Sequence, residues 1–324
     1  ESQGLELEVE AFKRAFPKSR KASEVTTFMR AFCQRQGVNI MTGVTVRGFA
    51  QGSDGAVIGV ETSEGRLSAS SYVLATGGVS YPETGSTGEG FDWLKRIGHS
   101  VVSPSPSITP IRVEESWVKA RSGLTIESVV CRVKQAGETK YRESGKLLFT
   151  HFGLSGPVIL RLAGRIGELL GGGTVTLELD FFPTLDQGSL DQKIVAVLDE
   201  NKNKEALNAL KELLPAGFAR AVTEQIPSFG EKKAHSVTRD ERKQLVHFLK
   251  QARVTVAGLM GFDWAVVADG GVPLTEVDTK TMRSKLHDNL YLVGDVLHIN
   301  RPSGGFSLQL CWTTGFVAGS AVCG

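Results

Sequence analysis

The chain has few cysteines, few prolines and no long apolar run. Its four cysteines, Cys33, Cys131, Cys311 and Cys323, are too few and too scattered over 324 residues for a disulfide framework. None forms a C-x-x-C pair and no histidine spacing completes a zinc set, so neither a dithiol centre nor a zinc ribbon is expected. A reducing, cytoplasmic setting is the expectation. No stretch approaches the apolar length that spans a bilayer, so no membrane is expected. No signal peptide is expected. The chain opens Glu1-Ser2-Gln3 without Met, so its natural start is expected to be missing. An excess of one charge is also lacking: Lys plus Arg is 37, Asp plus Glu is 35, and the net charge is +2. That balance offers no electrostatic case for nucleic acid or an anionic surface, and a small-molecule substrate is the expected partner. Hydrophobic residues at 41% and charged residues at 22% exclude disorder as the main state.

Glycine is plentiful: 37 residues against 11 prolines and 4 tyrosines. It is clustered rather than periodic, which excludes collagen and predicts tight turns. Val25, Phe28, Met29 and Phe32 recur at helical spacing, with Ser23 placed as N-cap and Gly37 as stop. Short β-type runs follow at 44–49, 56–62 and 66–70, then the apolar strand Tyr72-Val73-Leu74-Ala75. A short helix is expected over 91–97. Ser103-Pro104-Ser105-Pro106-Ser107 is expected to break regular structure and mark a boundary. Strands are expected at 129–133, 146–150 and 174–182. Between 186 and 251 Leu, Ala, Lys and Glu dominate and helices are expected. The strand Leu290–Val293, a Gly-rich loop and a helix near 308–322 close the chain. The two ends thus read as one α/β domain and the middle as an insertion. The length prior of about two domains yields to that pattern.

Four segments carry candidate chemistry. Ala75, Thr76, Gly77 and Gly78 end a strand where, in open α/β sheets, nucleotides bind; alone, they read more readily as a plain strand-to-loop turn. Gly294 and Asp295 end a second apolar strand, so one carboxylate stands where it can accept from sugar or ribityl hydroxyls, or simply cap a turn. Gly304, Gly305, Phe306, Ser307 and Leu308 open the last helix, whose first amides and dipole favour negative charge. A plain helix start is the other reading. The five glycines of 77–90 run G-x-x-G-x-G, the reverse of the dinucleotide fingerprint, and are not counted as one.

In combination these segments resemble one family. Phe16-Pro17-Lys18-Ser19 with Lys21-Ala22, Gly78-Val79-Ser80-Tyr81-Pro82 through Gly98-His99, and Thr150-His151-Phe152-Gly153-Leu154-Ser155-Gly156-Pro157 are similar to its motifs. So are Gly270-Gly271-Val272 with Thr281-Met282-Arg283-Ser284-Lys285, and Gly294 to Gly319. Nearly the whole chain, in order, resembles the YhiN/BaiN-type flavoproteins, a family that includes aminoacetone oxidases and is distantly similar to the fumarate reductase flavoproteins. The resemblance implies an α/β fold: a split Rossmann-like FAD domain at 1–108 and 269–324. It implies an inserted β-barrel-like domain at 109–185 and 251–268, carrying a helical domain at 186–250. It implies FAD along Gly294, Asp295 and the loop through Leu308, and hydride transfer at flavin N5. NAD(P)H or a small amine- or ketone-type compound would be the reaction partner.

The family opens with a strand, a Gly-rich phosphate loop and a helix, and no G-x-G-x-x-G occurs here. Asp295 stands where the family has Glu, and Ser307 where it has Asn. Two alternatives therefore stand beside the oxidoreductase: a truncated, flavin-free binding or assembly remnant, and a tRNA-modifying flavoprotein relative. No residue is assigned as catalytic acid or base, and no metal is expected. For His151 a structural role is favoured over acid–base work, and His298 is a weaker family match. Cys311 is expected to be a buried thiol with no disulfide partner. The cluster Lys13, Arg14, Lys18, Arg20 and Lys21 is expected to be a solvated face.

Overall fold

The structure is a computed structural model and describes residues 3–10, 13–230, 232–301 and 305–323. The chain divides into two compact units, one of residues 1–78, 88–103 and 270–324, the other of 79–87 and 104–269.

The first unit begins with a hairpin of β1 (Leu7–Val9) and β2 (Ala15–Pro17). Arg14 and Arg20 pair with Glu10, Arg20 also with Glu8, and Lys18 with Glu6. Most of the basic cluster is thus a solvated, paired face. Helix α1 (Ala22–Arg35) starts after Lys21, which gives no side-chain cap, so Ser23 lies inside the first turn rather than capping it. The Ser19 hydroxyl instead accepts from the Lys21 amide just ahead of the helix. Gly37, at φ 76°, ends α1 in the left-handed region where glycine is unstrained. A meander of β3 (Val46–Gln51), β4 (Val57–Thr62) and β5 (Gly65–Leu67) follows.

Strand β6 (Tyr72–Leu74) lies parallel to β17 (Leu290–Leu292), and β15 (Val277–Asp278) and β16 (Arg283–Ser284) extend that sheet antiparallel. Helix α2 (Glu89–Arg96) carries Glu89 and Asp92 in its first turn and Lys95 and Arg96 in its last, matching the helix dipole. It buries Phe91, Trp93 and Leu94. The last helix, α9 (Phe306–Cys323), is apolar yet leaves Phe306, Leu308, Trp312 and Phe316 exposed.

The chain passes between the units along β7 (Val102–Ile108) and β14 (Val267–Gly271), which form a two-stranded sheet. Ser103–Ser107 is therefore strand, not a break. Pro104 and Pro106 are two apart, so both missing N–H groups fall on one edge, and a two-stranded sheet leaves each strand one edge unpaired.

The second unit is built on a closed barrel. Its strands are β8 (Ile111–Val113), β9 (Thr125–Gln135), β10 (Glu138–Phe149), β11 (Gly153–Ser155), β12 (Val175–Asp180) and β13 (Ala252–Leu259). The order is β10-β11-β8-β13-β12-β9, every pair antiparallel. Val129, Cys131 and Val133 alternate inward on β9, as do Val175, Leu177 and Leu179 on β12. Burial pushes the Cys131 thiol up to about 12, so it is an inert core group. Helix α4 (Pro157–Leu170) lays Val158, Ile159, Leu162, Ala163 and Ile166 against the barrel. Short α3 (Ser116–Lys119) supplies Trp117.

Between β12 and β13 lie α5 (Gln187–Glu200), α6 (Ala206–Leu210), α7 (Ala216–Gln225) and α8 (Arg239–Gln251). Asp186 caps α5 by accepting from Ser189, and Thr238 with Glu241 forms a capping box on α8. Phe218 and Phe248 pack with Trp117, and Phe181 packs on Phe218, joining these helices to the barrel core.

The Thr150–Pro157 motif is structural. Gly153 closes the barrel, where a Cβ would overlap the Ile111 carbonyl. Gly156, at φ 91°, turns the chain into α4, with Pro157 at the first helical position. A Cβ there would stand 2.9 Å from both the Lys146 oxygen and the Leu148 nitrogen. Gly156→Ala is expected to cost about 1–3 kcal/mol in denaturant unfolding. Gly261→Ala, with nothing within 4 Å of the added carbon, is the control expected to be near neutral.

Candidate cofactor site

Strands β6 and β17 run in parallel register, Leu74 beside Leu292, so both release their chains at the same carboxyl edge. From β6 come Ala75, Thr76, Gly77 and Gly78; from β17 come Val293, Gly294 and Asp295. The two loops meet: a Cβ on Gly78 would lie 3.4 Å from the Asp295 carbonyl oxygen. The Thr76 hydroxyl is buried without a hydrogen-bond partner. The start of α2 covers it, since any side chain at Gly90 would overlap Thr76 Oγ1.

Gly294, at φ 68°, lets the chain turn under α9, where a Cβ would meet Cys311 Sγ at 3.2 Å. Its amide donates to Thr314 Oγ1 at 2.9 Å, and that hydroxyl donates to the Leu310 carbonyl at 2.8 Å. The end of β17 is thus stitched to α9.

The residue that organises this corner is Arg301, which the sequence reading did not single out. Its buried guanidinium donates to Asp295 Oδ1 at 2.6 Å, Ser307 Oγ at 2.9 Å and the Ile299 carbonyl at 2.8 Å. Burial pushes the Asp295 carboxyl above its ordinary value, and the Arg301 charge opposes that rise. The available signal was one cation in an otherwise uncharged stretch, six residues after Asp295.

Of the residues expected at the cofactor, Ala75 to Gly78 with Gly294 and Asp295 meet at this edge, and Ser307 joins them through Arg301. Gly304 lies outside the described residues. Gly305, at φ 92°, precedes α9, and the Gln309 amide donates to its carbonyl. The side chains of Phe306 and Leu308 are exposed. Cys311 is a free thiol, but it is exposed rather than buried. Partial desolvation and the Asp295 carboxylate hold it above its ordinary value, so it is no thiolate nucleophile. His298 Nδ1 accepts from the Gly270 amide at 3.2 Å, a structural role. His151 is exposed and packs edge-on against Phe152. Among the described residues no three His, Cys, Asp or Glu side chains gather to hold a metal, and no helix is long and apolar enough to cross a membrane.

Gly98-His99 and Thr281–Lys285, two of the motifs behind the family resemblance, meet in a buried relay. His99 Nε2 lies 2.9 Å from Ser284 Oγ, and His99 Nδ1 lies 2.7 Å from Glu276 Oε2. The arrangement resembles a nucleophilic triad, yet Ser284 is only 1% exposed. Its oxygen also accepts from the Leu286 and His287 amides, both at 3.0 Å. With both lone pairs occupied, the hydroxyl proton must go to His99 Nε2. That fixes His99 as the neutral tautomer with its proton on Nδ1, donating to Glu276. Burial lowers the His99 pKa despite Glu276, and the nearby His287 pushes the same way. Burial pushes Glu276 up, but hydrogen bonds from Ser100 and His99 outweigh it and hold the carboxyl below its usual range. The relay is a lock between the end of α2 and the β15–β16 hairpin, not a catalytic device.

Fold and site together define a mixed α/β protein with a Rossmann-like cofactor domain. The chain belongs to the HI0933-like family, whose Rossmann domain matches residues 1–321, and this bears out the family resemblance. It is 26% identical over 307 residues to a 3-dehydro-bile acid Δ(4,6)-reductase of Clostridium scindens, covering 94% of this chain and 74% of that one. It is 24% identical over 305 residues to a ribosomal RNA dihydrouridine synthase of Haemophilus influenzae, covering 93% of this chain and 73% of that one. Among solved structures it is similar to the open conformation of a flavocytochrome c3 fumarate reductase, at 16% identity and a TM-score of 0.45. That match covers 99% of this chain and 60% of the other.

The relay predicts a pH dependence. A His whose folded pKa lies below its ordinary 6.5 contributes full stability above that value and loses it as pH falls through and below it. The melting temperature is expected to drop between pH 7 and pH 5 by an amount that His99→Gln reduces. An equal slope in parent and variant would remove His99 as the cause.

Proposed function

We propose that the chain is an FAD-dependent oxidoreductase. The observation that carries this reading is the meeting, at one carboxyl edge of two parallel strands, of an unpartnered buried hydroxyl and a turn bearing a carboxylate. Thr76 supplies the first, and Gly294 with Asp295 the second. These residues fit a flavin nucleotide: the hydroxyl needs a polar partner, and the glycines let the backbone approach one closely. The names of the two relatives, a reductase and a dihydrouridine synthase, support a redox reading.

FAD, when bound, supplies hydride transfer at its N5, with NAD(P)H or a small amine- or ketone-type compound as the proposed reaction partner. This chain's own residues bind and orient. Asp295, with Oδ1 committed to Arg301, presents Oδ2 to ribityl hydroxyls. Arg301 fixes that carboxylate and, through Ser307, the start of α9. The positive end of α9 favours negative charge nearby, as do the amides from Gly305 to Leu308. The Ala75–Gly78 loop forms the facing wall. The proposed substrate is a small molecule, since a net charge of +2 supplies no general attraction for nucleic acid.

The test is a visible spectrum of the purified chain after incubation with FAD and desalting, then after NADH is added without oxygen. Retained flavin bands that bleach are expected. No retained flavin would overturn the reading and favour a flavin-free binding module. Asp295→Ala and Arg301→Gln are each expected to weaken FAD retention about tenfold or more, as loss of a charge-assisted hydrogen bond does. Retention equal to the parent's would exclude both from the site.

A further inference from the structure

We propose that α2 is a lever: a proton taken up at His99, at one end of the helix, loosens the cover over Thr76 at the other, so that acid weakens the hold on the cofactor. The proposal concerns regulation of the proposed flavin site and rests on that reading for the identity of the ligand. All the residues involved belong to the first unit.

The helix touches a different partner at each end. Its start carries the buried Gly90, which lies against the otherwise unpartnered Thr76 hydroxyl. The eight residues of α2 span about 12 Å, and their hydrogen-bonded turns make a stiff rod. The far end runs into the relay. There the His99 amide donates to the Leu94 carbonyl at 3.0 Å, and the Ile97 carbonyl accepts from His287 Nε2 at 2.8 Å.

The relay has no place for a second proton on His99. Ser284 Oγ donates to His99 Nε2 and accepts from the Leu286 and His287 amides. A hydrogen on Nε2 would therefore face the serine hydrogen. To accept from it, Ser284 has to turn its own hydrogen away and release one of the two amides. Ser284 and His287 are both buried, so a released group has no water at hand to replace the bond. Release of the His287 amide also frees the residue whose ring holds Ile97. One proton thus undoes the clasp on the end of α2.

Among the described residues, the titratable groups facing His99 are Glu276, just ahead of β15, and His287, after β16. Burial opposes the added charge most, Glu276 attracts it, and His287 repels it. On α2 itself Lys95 pairs with Asp92, and Arg96 donates to the Asp92 and Arg47 carbonyls, so both are engaged elsewhere. The response falls below the ordinary histidine value of 6.5.

The test follows backbone hydrogen exchange of the FAD-free chain at pH 7 and pH 5, expressed as protection against the intrinsic rate at each pH, and FAD affinity at both. Protection in α2 is expected to fall about tenfold at pH 5 while that in β4 holds. FAD affinity is expected to fall about tenfold, an ordinary size for coupling between two sites. His99→Gln, which cannot take up the proton, is expected to show neither fall. Should that variant not fold, the contrast between α2 and β4 in the parent still decides. An equal loss over α2 and β4 would show that the relay only stabilises the unit, and would overturn the lever. So would a fall in FAD affinity that survives His99→Gln, which would belong to Asp295. If no FAD binds at pH 7, the flavin reading fails, and hydrogen exchange alone decides the lever.

Discussion

The cofactor corner depends on one pairing, the guanidinium of Arg301 against the carboxylate of Asp295. Half-buried, that carboxylate would be costly if it stood alone. Arg301 offsets the cost, and its remaining donors reach Ser307 and the Ile299 carbonyl. One buried side chain therefore ties the end of β17, the following loop and the start of α9. The Gly294–Thr314 hydrogen bond adds a second tie between the same elements. The proposed placement of a flavin follows from this pre-set corner rather than from any single ligand-binding residue.

Much of this corner was legible in the sequence, and the reason is local. An apolar run closing on glycines predicts a buried strand that delivers backbone to a ligand, and two such runs, at 72–78 and 290–295, became adjacent parallel strands. The helical stretch was legible from composition, and α5 to α8 fall within it. Other features were not legible. Ser23 has the right chemistry for a cap, but the Lys21 amide found Ser19 instead. The two prolines near 105 read as a break because nothing in one dimension shows that a single partner strand awaits them. Arg301 is one cation among 37 basic residues until its three acceptors are in place.

Partners distant along the chain set the same limit on the His99 relay. His99 and Ser284 are 185 positions apart, and no spacing rule connects them. The family motifs marked both residues without saying why. The structure supplies the reason: two amides fill the Ser284 oxygen, the serine proton settles the histidine tautomer, and Glu276 takes the other end.

The closed barrel has a consequence for recognition. A sheet with free edges can recruit another chain through backbone hydrogen bonding, which is nearly blind to sequence. Each of the six barrel strands has a neighbouring strand on both sides, so within the closed ring no strand is an outer one. A six-stranded barrel is also too narrow to hold anything but its own side chains. Whatever recognises the barrel itself has to read the side chains on its outer wall, and its selectivity is open to change one residue at a time without touching the fold.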